Sequence, residues 1–148
     1  MTYGWAIVII GVAMVLLWQW GFFNPTGQVK FSTLGFWGVM PTDAKYTSDG
    51  SLSLSVRNEI VDGDVDITGL QVKSGGVTYN TESSFNQTIV SGGILTIPLD
   101  HSVTQLPGGG EGAAYDLQVA ITYVDHRLDS TEYSFISSGN IQGSIEKA

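Results

Sequence analysis

The residues best suited to chemistry sit in one short run, DGDVD, which places carboxylates at Asp62, Asp64 and Asp66. Alternate acids of this kind invite a calcium reading. An EF-hand-type loop beginning at Asp62 needs glycine at its sixth position and glutamate at its twelfth. Those positions hold Ile67 and Lys73. The run therefore reads as a turn leading into a strand, with Val65 and Ile67 inside and Asp64 and Asp66 on a solvated face. His101 and His126 are the only histidines, and neither has an H-x-x-x-H or H-E-x-x-H partner. There is no G-x-S-x-G elbow for a nucleophilic serine. No pair of carboxylates stands out for glycosidase chemistry. The glycines of PGGG follow no strand-to-helix pattern that could cradle a phosphate. The chain has no cysteine, which removes disulfides, thiolate nucleophiles and zinc–thiolate sites together. The expectation is a protein that is not an enzyme, with no cofactor, no metal and no catalytic residue. One modification signal remains. Asn86-Gln87-Thr88 is an N-x-T sequon in a polar segment, which makes Asn86 a candidate for N-glycosylation. Asn24-Pro25-Thr26 is excluded by its proline.

Charge separates the chain into two parts. All 6 Lys and Arg and all 14 Asp and Glu lie at or after Lys30, so the net charge of −8 belongs wholly to the C-terminal part. Such a domain repels phosphate backbones, which argues against nucleic-acid binding. It also repels anionic lipid headgroups and favours solubility. Past Pro25 the pattern becomes short period-2 stretches separated by Gly, Asn, Asp and Ser. SLSLSVRN puts Leu52, Leu54 and Val56 on one face, and YDLQVAITYV does the same with Tyr115, Leu117, Val119, Ile121 and Tyr123. VDIT continues through Gly69, which shifts the phase as a bulge would, into Leu70 and Val72. FNQTIV, ILTIPL, EYSFIS and NIQGSIE complete seven or eight short strands, and LPGGGEGAA at 106–114 reads as a flexible loop. This spacing points to an antiparallel β-sandwich.

The N-terminal part carries no charge at all from Met1 to Val29. Trp5 to Phe23 is apolar except for Gln19, and as a helix it would be about 28 Å long, near the roughly 30 Å hydrocarbon core of a bilayer. Its apolar residues go all round, so the helix has to be buried in lipid or in protein. Trp18, Trp20, Phe22 and Phe23 cluster at its end, as aromatics do at a membrane interface. Asn24 and Pro25 are the expected terminator, because the residue before proline is pushed out of the α region. A secretory signal peptide fits poorly: the n-region has no Lys or Arg, the apolar run is too long, and no A-x-A follows. The missing basic flank points to an upstream leader that has been cut away or is not included.

Along this helix Ile7, Ile10, Met14 and Leu17 fall at 3-4-3 spacing, a seam for a neighbouring helix, and Trp5, Val12 and Trp18 extend the packing surface. Gly4, Ala6, Gly11 and Ala13 would let a second helix approach closely. About fourteen large apolar residues lie between Trp5 and Phe23, each contributing roughly 1.5–3 kcal/mol on leaving water. A lipid-facing anchor requires the same apolar surface as a helix that packs against copies of itself. The expected class is α+β: a long N-terminal hydrophobic helix over 1–24, a linker over 25–30, and an all-antiparallel Ig-like β-sandwich over 31–148.

MTYGWAI, the apolar run after it and the turn at Phe23-Asn24-Pro25 resemble the N-terminal region of archaeal type IV pilin-like proteins, the class III signal peptide family of the pilin and archaellin superfamily. SLSLSVRNEIVDGDVDITGLQV is similar to their strand–turn–strand segment, and AYDLQVAITYVD with GNIQGSIE resembles their final strands. The resemblance implies a homopolymer. The N-terminal helix waits in the cytoplasmic membrane, then helices bundle as the core of an extracellular filament with sandwiches as its outer sheath, for adhesion or cell contact. It also implies a basic leader cut ahead of the helix. In that family the cleavage signature and the acidic residue after it lie upstream of the region that Tyr3-Gly4-Trp5 resembles. The competing expectation is a single-span, membrane-anchored cell-surface adhesin or binding module.

Overall fold

A computed structural model describes residues 3–20, 29–80, 86–99, 106–128 and 133–148. The described residues form one helix, α1 (Gly4–Gln19), and nine strands: β1 (Ser32–Leu34), β2 (Val39–Tyr46), β3 (Leu52–Asn58), β4 (Val65–Ser74), β5 (Val77–Asn80), β6 (Gln87–Ile89), β7 (Ile94–Leu99), β8 (Ala114–Asp125) and β9 (Ser134–Ser144). The larger sheet runs β1-β9-β8-β4-β5, with β6 also paired to β4, and the smaller runs β2-β3-β7. Every strand pair is antiparallel. A parallel bridge between Thr47 and Glu146 links the two sheets at one end.

The alternating strands bury the residues their pattern selects. Leu52, Leu54 and Val56 of β3 face Val65, Ile67, Leu70 and Val72 of β4 and Leu117, Val119 and Ile121 of β8 across a single core. Gly69 marks a register shift in β4, between Ile67 and Gly69, so Leu70 and Val72 return to the inner face. EYSFIS and NIQGSIE are one strand rather than two. Gly139 interrupts the pattern because a side chain there would run into the Leu34 carbonyl and the Phe36 ring as β1 crosses β9. β2 was hidden by Pro41 and by a second register shift between Pro41 and Asp43. The 106–114 segment is pinned at its start: Leu106 is buried, and the Pro107 carbonyl accepts a hydrogen bond from the Tyr46 hydroxyl.

The expected α+β class with a long N-terminal helix is corrected. The described residues are mostly β, 54% strand against 13% helix. Its helix spans 16 residues, about 24 Å at 1.5 Å per residue. Trp20 leaves helical geometry at φ −80°, ψ 3°, its N–H capping the Leu16 carbonyl. Gly21 follows in the sequence, and glycine is a poor helix former. Among the described residues no helix is long and apolar enough to cross a membrane. The expected terminator, Asn24 and Pro25, lies outside the described residues.

Candidate functional site

Half of the α1 residues are glycine or β-branched, so intrinsic propensity alone does not hold this helix, and nothing charged caps either end: the first turn has no acid and the last no base. No residue of α1 is buried. Trp5 is 77% exposed and Trp18 71%; Ile7, Ile10, Val12 and Met14 are also exposed, and Leu17 is half-buried. A Cβ added at Gly4 or Gly11 would meet nothing within 4 Å, and Ala6 and Ala13 are exposed. Residues seven apart lie almost on one line of a helix. Gly4 and Gly11 therefore form one narrow stripe and Ala6 and Ala13 another, beside the larger ridge of Ile7, Ile10, Met14 and Leu17. The surface expected from the sequence is assembled on one short helix, and the chain itself does not cover it.

The acidic run is used locally. Asp62 occupies a turn with φ +56°. Asp64 Oδ1 accepts the Ser91 N–H at 3.2 Å. Asp66 accepts the Thr88 hydroxyl at 2.6 Å and meets His126 Nε2 at 2.8 Å. The Thr88 hydrogen bond, helped by His126, holds the Asp66 carboxyl below the usual carboxylate range. No group of three or more metal-ligating side chains forms among the described residues. His126 is engaged with Asp66, and His101 lies outside the described residues. Asn86 is exposed just ahead of β6.

A second charge pair lies at the end of β8. Asp125, 5% exposed, takes the Arg127 guanidinium in a fork: Nε at 3.0 Å and Nη2 at 2.7 Å to Oδ2, with the Arg127 backbone N–H at 3.0 Å to Oδ1. The guanidinium holds the Asp125 carboxyl below its ordinary value. A carboxyl whose folded pKa is depressed stabilises the fold above its unfolded pKa, near 3.9, and loses that contribution as pH falls through the folded value. Thermal melting from pH 6 to pH 2 is therefore expected to stay level on this account down to about pH 4 and to fall below it. Asp125→Asn should flatten part of that acid limb. An unchanged limb would show that the pair does not couple to folding.

The same pair borders a cleft of about 300 Å³ lined by Trp37, Tyr123, Asp125, Arg127, Leu128 and Phe135. It lies where β8 ends and β9 begins, at the far end of the sandwich from Val29–Phe31. Those entering residues line a larger groove of about 720 Å³ with Glu111, Ile145 and Lys147. Trp37 was not singled out from the sequence. Its signal is the flanking pair of glycines in GFWG, which places a large ring in a turn instead of a strand. Comparison of the chain with protein-family models, with curated proteins and with solved structures returns no match.

Proposed function

We propose that the chain is the structural subunit of an extracellular, archaeal type IV pilus-like helical filament, with α1 helices packed together inside and the β domains outside. One observation carries this reading: a helix apolar all round, none of whose residues is buried by its own chain. In water such a surface is costly, at roughly 1.5–3 kcal/mol for each large side chain, and copies of the same helix are a self-complementary cover. Contacts that repeat without closing generate fibres. The small residues at Gly4, Ala6, Gly11 and Ala13 give the close approach such packing requires. Delivery through the cytoplasmic membrane before assembly belongs to the same reading, as does a glycan on exposed Asn86.

The test is direct. Material sheared from the cell surface is imaged by electron microscopy, and its polypeptide is read by mass spectrometry, including any added mass on the Asn86 peptide. Fibres composed of this chain are expected. A chain found only as a detergent-extractable membrane protein, with no fibres, would favour the single-span binding module instead.

A further inference from the structure

Among the described residues, the ten large hydrophobic side chains exposed on the β domain from Leu34 onward are not scattered. Trp37, Val61, Val90, Ile94, Leu128, Tyr133, Phe135 and Ile136 belong to the end defined by the start of β2, the end of β3, the end of β8 and the start of β9. Trp37 is 75% exposed there. Its display is a fixed feature of the fold. The Trp37 N–H donates to Ser137 Oγ at 3.1 Å, and that buried hydroxyl donates to the Val39 carbonyl at 2.7 Å. Gly38 follows at φ +77°, with Tyr123 so close that any side chain would collide with its hydroxyl. The backbone is locked while the indole is held out in water.

We propose that the cleft beside this indole binds a neutral saccharide. Three properties select that class. The first is the wall: Trp37 and Phe135 line the cleft, and Phe135 is backed by the buried Tyr123 ring, their centroids 5.7 Å apart at 28°. A pyranose presents a flat patch of polarised C–H groups, which the negative face of an aromatic ring attracts. The second is charge. The cleft's carboxylate and guanidinium neutralise each other, so its electrostatics suit an uncharged ligand; the carboxylate is buried and spent on Arg127, while the half-exposed guanidinium keeps donors for vicinal hydroxyls. The third is size. About 300 Å³ is at the small end of ligand sites, suited to one or two sugar rings and too short for a folded partner's segment. An apolar wall with a few fixed polar groups is the usual make-up of such a site. The binding chemistry is independent of assembly; only the display of the cleft on the outside of a fibre rests on the filament reading.

The experiment uses the full chain in a zwitterionic, sugar-free detergent, applied to an immobilised panel of neutral hexose and N-acetylhexosamine oligosaccharides beside acidic ones. Binding to neutral members is expected, and free sugar should compete. Trp37→Ala should weaken that binding by about tenfold or more, since a truncated aromatic anchor loses its whole contact face. Trp37→Phe should restore most of it, and all three proteins should melt at the same temperature because the Trp37 N–H bond survives in each. No binding to any member of the panel, or equal binding by Trp37→Ala, overturns the proposal. So does a preference for acidic glycans. A Trp37→Ala protein that binds sugar normally but fails to self-associate also overturns it, and assigns the cleft to a second copy. Fibres without sugar binding reject this inference alone, and sugar binding without fibres rejects only the filament reading.

Discussion

Changing Ile10 to Asp is expected to abolish fibre assembly while leaving the β domain folded. Ile10 is 60% exposed in the single chain, so the substitution breaks no contact that the chain makes with itself. Inside a helix bundle the same carboxylate would have neither water nor a cation, because no residue from Met1 to Val29 is charged. An unpaired buried charge costs about 3–5 kcal/mol after relaxation, which raises the concentration needed for assembly by about two to four orders of magnitude. Val12→Asp should behave alike. The measurement is the yield of sheared fibres beside the melting curve of the soluble fraction; normal fibres from Ile10→Asp would sink the filament reading. A membrane anchor would also suffer from an aspartate, so a second substitution separates the two. Gly11→Ile adds apolar bulk where the chain leaves open space. Lipid accommodates that bulk, whereas a neighbouring helix seated on Gly11 is pushed away. Filaments should therefore be lost in Gly11→Ile, and a lipid-facing anchor should be unaffected.

What the sequence could announce depended on whether a residue's neighbours in space were also its neighbours in the chain. β3, β4 and β8 were legible because each alternates cleanly, and even the bulge at Gly69 showed as a break in phase. β1 was not, because it is three residues long and its partner β9 lies about a hundred residues on; β2 was not, although it pairs with the next strand, because Pro41 and the register shift beside it break its alternation. The helix was legible in kind but overextended. Apolarity runs on to Phe23, and only the backbone at Trp20 shows where α1 stops. The acidic run was read as a solvated turn and strand, yet its partners come from two other segments: Thr88 and Ser91 in and just after β6, and His126 just after β8. The cleft was invisible for the same reason: Trp37 meets Ser137 across 100 residues of chain.

Asn58→Ala is the substitution expected to cost the β domain most. Asn58 is fully buried at the end of β3, and its side chain is completely used. Nδ2 donates to the Gly63 carbonyl at 2.7 Å and to the Ile89 carbonyl at 3.2 Å, and Oδ1 accepts the Ile60 N–H at 2.9 Å. One amide thus ties β3 of the smaller sheet to β6 of the larger and fixes the turn between β3 and β4. Alanine leaves these three backbone groups without their partner, at about 1–3 kcal/mol for each that water cannot reach. A loss of about 3–5 kcal/mol is a large share of the 5–15 kcal/mol that stabilises a domain, and it should lower the melting temperature by about 10–25 °C. A fall of only a few degrees would show that water enters and replaces the amide. Asn58→Asp sharpens the test. Its Oδ1 can still accept from Ile60, but a carboxylate would face two carbonyl oxygens where Nδ2 donated. Burial and those oxygens favour the protonated form, so the folded pKa of the new aspartate is raised. A raised folded pKa gives stability that is full below the unfolded value, near 3.9, and lost as pH climbs toward the folded one. Asn58→Asp should therefore recover part of its deficit in acid, and Asn58→Ala should not. The same clamp supports the exposed end of the domain. The Glu59 N–H, one residue on, holds the Gly38 carbonyl at 2.8 Å, and Gly38 sets the turn that displays Trp37. Weakening at Asn58 should therefore reach the cleft before the core gives way.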